Sequence, residues 1–98
     1  MELSDSELVK KSQAGETSAF QELVSRYPQK VFMVILGLLR NREDALEVAQ
    51  ETFFRAFRKI NSFQGGSSFY TWIYRIAVNM AIDAQRRQKR NLLAFRES

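Results

Sequence analysis

Residues 63–79 read FQGGSSFYTWIYRIAVN. A glycine pair and a serine pair break all periodicity, and behind them Phe69, Trp72, Ile73, Ile76, Ala77 and Met80 return at the spacing of one helical face. A turn-rich loop over INSFQGGSS therefore opens a long helix, expected from about 68 to 90. Large rings at helical spacing are ordinarily core. Tyr70, Tyr74, Arg75 and Asn79, however, fall on other sides of this helix. Tyrosine and tryptophan beside arginine also suit single-stranded nucleic acid, where each ring stacked on a base contributes roughly 1–3 kcal/mol and cations neutralise phosphates.

Working outward, the chain reads as helices throughout. SDSE at 4–7 is a capping box, with Leu3 and Leu8 placed as a hydrophobic staple, and Gly15 closes a first helix over 5–14. Phe20, Leu23, Val24, Tyr27, Val31, Ile35, Leu38 and Leu39 form one stripe across Pro28. Proline inside a helix removes a hydrogen bond and clashes with the preceding turn, so either two helices abut there or one is kinked. Because the stripe keeps its phase, one helix over 18–40, kinked near Pro28, is expected. Asn41 caps a third, over 42–60, which buries Ala45, Val48 or Ala49, Thr52, Ala56 and Ile60. The tail NLLAFRES reads as a frayed end or the start of a linker. The expected fold is all-α, a compact bundle of four helices in one domain over 1–98.

Composition narrows the function. The 98 residues contain neither cysteine nor histidine, which removes disulfides, thiolate nucleophiles, the common zinc ligands and imidazole acid–base chemistry. A binding role is expected rather than an enzyme, with no catalytic residue, metal or cofactor. The longest apolar run, VFMVILGLL at 31–39, is far short of the ~20 residues that span a bilayer, and the amino terminus is acidic. A cytoplasmic protein without membrane insertion is expected. Charge is unevenly divided: residues 1–51 hold six basic and nine acidic side chains, whereas residues 52–98 hold nine basic and two acidic. The basic half is the candidate surface for a polyanion.

Within that half, Gly65 and Gly66 permit close backbone approach, and Gln64, Ser67 and Ser68 offer short polar groups to a base edge. A glycine–serine loop is also a common plain connector. Arg86 and Arg87 begin a basic run that reads equally as a solvated helix end or as phosphate contacts. On the third helix, Glu47, Gln50 and Glu51 span one turn beside Phe54, whose place on a polar face a purely structural helix has little reason to allow. That set is either a solvent face or a docking surface for a basic partner.

EDALEVAQETFFRAFRKINSF, followed by the loop and FYTWIYRIAVNMAID, closely resembles the second conserved region of the extracytoplasmic-function (ECF) sigma factors of bacterial RNA polymerase. SDSELVKKSQAGETSAFQELVSRYPQKVF is similar to that family's amino-terminal helices, so the resemblance covers about 4–90. It implies that Glu47, Gln50, Glu51 and Phe53, with Asp44 and Phe54 nearby, dock on the clamp coiled coil of the polymerase's largest subunit. It implies that Phe63, Gln64, Gly65, Gly66, Ser67 and Ser68, with Asn79 on the helix wall beneath, capture a flipped base of the non-template minus-ten strand. Tyr70, Trp72, Tyr74 and Arg75 would belong to the promoter-melting helix, and an inhibitory anti-sigma partner is implied.

The chain departs from the wider family in two ways. Trp72 is followed by Ile73 where primary sigma factors carry a tryptophan pair, which is typical of the ECF group and implies weaker melting and stricter promoter demands. The helix-turn-helix domain that reads the minus-thirty-five element (sigma region 4) is absent, so an excised domain is expected in preference to a natural truncation. The alternatives are a protein-interaction bundle with an incidental basic tail and, less well supported, an amphipathic membrane-surface protein.

Overall fold

Each helix begins or ends where a specific residue leaves the chain little choice. In the computed structural model, which describes residues 2–97, Ser4 accepts from the Glu7 amide at 3.2 Å while the Glu7 carboxylate accepts from the Ser4 amide at 3.3 Å. This capping box opens α1, Asp5–Gln13. Gly15, at φ +100, turns the chain into α2, Thr17–Val24. Helix α3, Pro28–Leu39, ends at Arg40 in the left-handed region, whose amide donates to Leu36 O at 2.7 Å. Asn41 accepts from the Asp44 amide at 2.9 Å and starts α4, Arg42–Lys59. A 3-10 turn, Ile60–Ser62, leads to the loop and then to α5, Phe69–Glu97.

The expected all-α class stands, with two corrections to the helices. The single kinked helix over 18–40 is two helices. Arg26 and Tyr27 donate to Leu23 O and Val24 O in i→i−3 turns that close α2. Pro28 then occupies the first turn of α3, where its missing N–H is one that no intrahelical acceptor would have met. The stripe keeps its phase because both helices bury it in one core: Leu23, Val31 and Ile35 are all fully enclosed. The last helix also runs past 90 to Glu97, because NLLAFRE consists of residues compatible with a helix and lacks any glycine or proline to stop it.

The three longer helices, α3, α4 and α5, pack against one another, and α1 packs on α2. Thr52 is completely buried and returns its hydroxyl to Val48 O at 2.8 Å, so it leaves no unmet polar group in the core. Gln85 donates to Leu38 O at 2.6 Å and Gln88 to Asp44 Oδ2 at 2.8 Å, fastening the middle of α5 to the ends of its two neighbours. Beyond Arg90 every described residue of α5 is exposed. Among the described residues no helix is long and apolar enough to cross a membrane.

Candidate nucleic-acid interface

The loop between Phe63 and Ser68 is anchored at both ends by side chains. At its end, Ser68 Oγ accepts from the Thr71 amide at 3.1 Å and so caps α5. At its start, the Gln13 side-chain amide, on α1, donates to Ile60 O at 2.9 Å and to Phe63 O at 2.8 Å. Between the anchors Gly65 holds φ +78, a conformation that a residue with a Cβ adopts only with strain. Gln64, Gly65, Gly66 and Ser68 are exposed and Ser67 is half-buried. Across from them, Ser6, Val9 and Lys10 of α1 complete a cleft of about 760 Å³. Phe63 turns inward instead, its ring centroid 5.3 Å from Trp72 and 6.4 Å from Phe69.

Helix α5 sorts the remaining residues by direction. Trp72, Asn79 and Arg86 recur every seven residues, so each lies within about 20° of the last. With Arg75 they form one stripe, half-buried at Trp72 and exposed at the other three. Asn79 sits about 10 Å along the axis from Trp72 and is not part of the lining of the α1–loop cleft. Tyr70 and Tyr74 lie on the opposite flank. Tyr70 stacks on Tyr27 at 5.3 Å, with Tyr74 at 6.0 Å and Lys30 Nζ 5.5 Å from its ring centre. Their link to the loop is a relay of rings, Tyr27 to Phe69 at 6.1 Å and Phe69 to Phe63 at 6.4 Å.

Tyr27 is itself held by Asp5, which accepts its hydroxyl hydrogen and also pairs with Arg26 at 2.7 Å. Burial, reinforced by that hydrogen bond and the Asp5 charge, pushes the Tyr27 phenol up to about 12. The network joins the first turn of α1 to the α2–α3 turn and, through Tyr27, to the start of α5.

The α4 residues divide in the same way. Gln50, Phe53 and Phe54 border an apolar groove of about 540 Å³ whose far wall is Phe20 and Val24 of α2. Its rings are unusually open to solvent, Phe54 at 69% and Phe57 at 45% exposure, and Phe57 leans edge-on against Phe20 at 5.1 Å. Asp44, Glu47 and Glu51 face the other way and share a smaller cleft with Arg87. Arg86 and Arg87, adjacent in sequence, thus serve different surfaces. Arg86 stays on the Asn79 stripe with a 3.9 Å pair to Asp83, whereas Arg87 stands against the acidic side of α4.

Sequence reasoning missed Gln13, Tyr27, Lys30 and the α2 wall of the groove. Gln13 gave no signal, because a polar residue in the last turn of a helix is ordinary and its acceptors lie 47 and 50 residues away.

Comparison with known proteins places this architecture. Over 77 residues the chain is 43% identical to the RNA polymerase sigma-H factor of Pseudomonas aeruginosa, covering 79% of this chain and 40% of that one. Over 80 residues it is 49% identical to the ECF RNA polymerase sigma-E factor of Haemophilus influenzae, covering 82% and 42%. It therefore spans about two-fifths of the length of these curated relatives. Among solved structures, an engineered region 2 of sigmaE, determined by NMR in complex with GTAAAA, matches with a TM-score of 0.85 and 40% identity over 92% of this chain and 94% of that one. Residues 23–91, from the end of α2 through most of α5, match the sigma-70 region 2 family model, and the chain belongs to that family.

Proposed function

We propose that this chain is the part of an ECF-type sigma factor that docks on core RNA polymerase and reads the minus-ten promoter element as a single strand. The observation that carries this is the separation of its two surfaces: the loop cleft and the α2–α4 groove have no lining residue in common. Two large partners are then able to bind at once. The groove, with exposed Phe54 beside Gln50 and Glu51, takes the clamp coiled coil. Its apolar floor supplies desolvation, and Glu47 and Glu51, on the neighbouring side of α4, pair with basic side chains of the partner.

The loop and the Trp72–Asn79–Arg86 stripe take the non-template strand. Arg75 and Arg86 neutralise phosphates, a base turned out of the stack is held against the loop backbone, and Asn79, farther along the stripe and outside the loop cleft, meets the edge of a base in the same strand. Unpairing costs a few kcal/mol, which hydrogen bonds to the base edge offset only when the base is the right one. Residues 1–98 act as one such unit in the cytoplasm, and the groove that docks polymerase is also where an anti-sigma partner would compete.

The experiment is a binding series with single-stranded GTAAAA and its six singly substituted variants, read by fluorescence anisotropy across a salt range. A preference at one position, relaxed about tenfold or more in Asn79→Ala, is the expected result. Equal affinity for all seven strands sinks the promoter reading and leaves the protein-interaction bundle in its place.

A further inference from the structure

We infer that Gln13 is a positioning residue for the recognition loop, so that α1, which contributes no base contact in the reading above, sets the loop's readiness to discriminate. The inference rests on the proposed promoter function, and its structural part stands independently. One side-chain amide carries two N–H donors, and here both are used on the same short stretch of backbone, Ile60 O at 2.9 Å and Phe63 O at 2.8 Å. These carbonyls bracket the 3-10 turn Ile60–Ser62, whose closing bond, Phe63 N–H to Ile60 O, is 3.1 Å long. The clamp therefore fixes the turn at both ends, and with it the Phe63 ring that packs on Trp72.

The rest of the loop depends on this. From Gln64 to Ser67, the only hydrogen bond among the described residues is the short-range one from Ser67 Oγ to Ser68 O at 3.2 Å. A glycine pair between two fixed points samples far fewer conformations than one hinged at a single point. Selectivity by a backbone rim requires that restriction, because a loop that adapts to any base pays ordering entropy for all of them and discriminates among none. The half-buried position of Gln13 keeps water from competing strongly for the two carbonyls.

Gln13→Met preserves side-chain length and removes both donors. Gln13→Glu preserves shape and replaces the donors with a carboxylate facing two carbonyls. Amide hydrogen exchange followed by NMR in the whole chain reads the clamp directly. Phe63 N–H is expected to exchange about tenfold faster in both variants, with core amides of α4 and α5 unchanged. In the strand-binding series, both variants are expected to lose most of the preference for the best strand while retaining salt-dependent binding to all of them. Unchanged Phe63 exchange in both variants overturns the clamp. Faster exchange with base preference intact overturns the positioning role. If the wild-type chain itself shows no preference, the promoter function fails, and the exchange measurement alone decides whether Gln13 holds the turn.

Discussion

The α2–α4 groove and the α1–loop cleft are built on opposite principles. Every groove residue contributed by α4 is fixed by helical period: once Ala45, Thr52 and Ala56 face the core, Gln50, Phe53 and Phe54 must face outward or toward α2. The cleft is fixed at one end by the Gln13 clamp, which joins segments some fifty residues apart, and at the other by the local Ser68 cap of α5. A surface set by period is as stable as its helix. One held through a single long-range side-chain clamp is tunable without unfolding the protein, a property suited to a selective rim.

The harshest way to break this contrast is to remove what both surfaces share. Ile73 has no exposed surface and lies in the core cluster with Phe69 and Ala77. Ile73→Ala is expected to lower stability by about 2–5 kcal/mol, measured by urea unfolding, and to impair both surfaces together. A substitution confined to the outer face of α4, one residue in the groove and one on the acidic side next to it, should instead separate them. Gln50→Ala with Glu51→Ala is expected to weaken binding to a clamp coiled-coil fragment at least about tenfold by calorimetry, at unchanged affinity for DNA. Equal loss of both activities, in a protein that melts normally, would contradict the division.

A milder test acts on the seam between α1 and α5. Tyr27→Phe removes one hydrogen bond to Asp5 and is expected to cost about 1 kcal/mol. Its pH signature is more specific. The Tyr27 phenol titrates higher in the folded chain, at about 12 against an ordinary value of 10, so the unfolded chain loses the proton first. The associated stability is therefore present below pH 10 and lost as pH rises toward 12. The difference in stability between wild type and Tyr27→Phe should shrink over that window, which paired denaturation curves will show.

How much of this was legible in the sequence follows the same contrast. The core stripe of α4, the capping box at Ser4, the Asn41 cap and the end of the loop at the serine pair all came from local rules and are present as expected, while the start of the expected loop, Ile60–Ser62, is a 3-10 turn. Pro28 misled because periodicity cannot distinguish a kink from a short break when both helices bury the same stripe. Gln13 and the Tyr27–Asp5 pair were illegible for a physical reason: a polar residue shows its value only through its partner, and these partners are set by packing. The resemblance to ECF sigma factors offered candidate residues in two groups, and the structure divides each further: Gln50, Phe53 and Phe54 line the groove while Asp44, Glu47 and Glu51 line a cleft with Arg87.

That sorting is sharpest at two neighbouring arginines, where the expected effect is smallest. Residues 86 and 87 read alike in sequence, yet Arg86 projects from the Asn79 stripe and Arg87 lies against Glu47 and Glu51. A single-stranded phosphate contact contributes about 0.7 to the slope of log affinity against log salt. Arg86→Ala is expected to reduce that slope by about this amount, lowering affinity for every strand alike and leaving base preference unchanged. Arg87→Ala is expected to reduce it by less, since Arg87 shares its cleft with Asp44, Glu47 and Glu51, whose negative charge disfavours a phosphate on that side. The pair at Asp83 does not reverse this order, because an ion pair 3.9 Å long and largely exposed on both sides holds its arginine weakly. A larger loss of slope at 87 than at 86 would move the strand toward α4 and onto the acidic side of the molecule, where a polyanion has no electrostatic reason to lie.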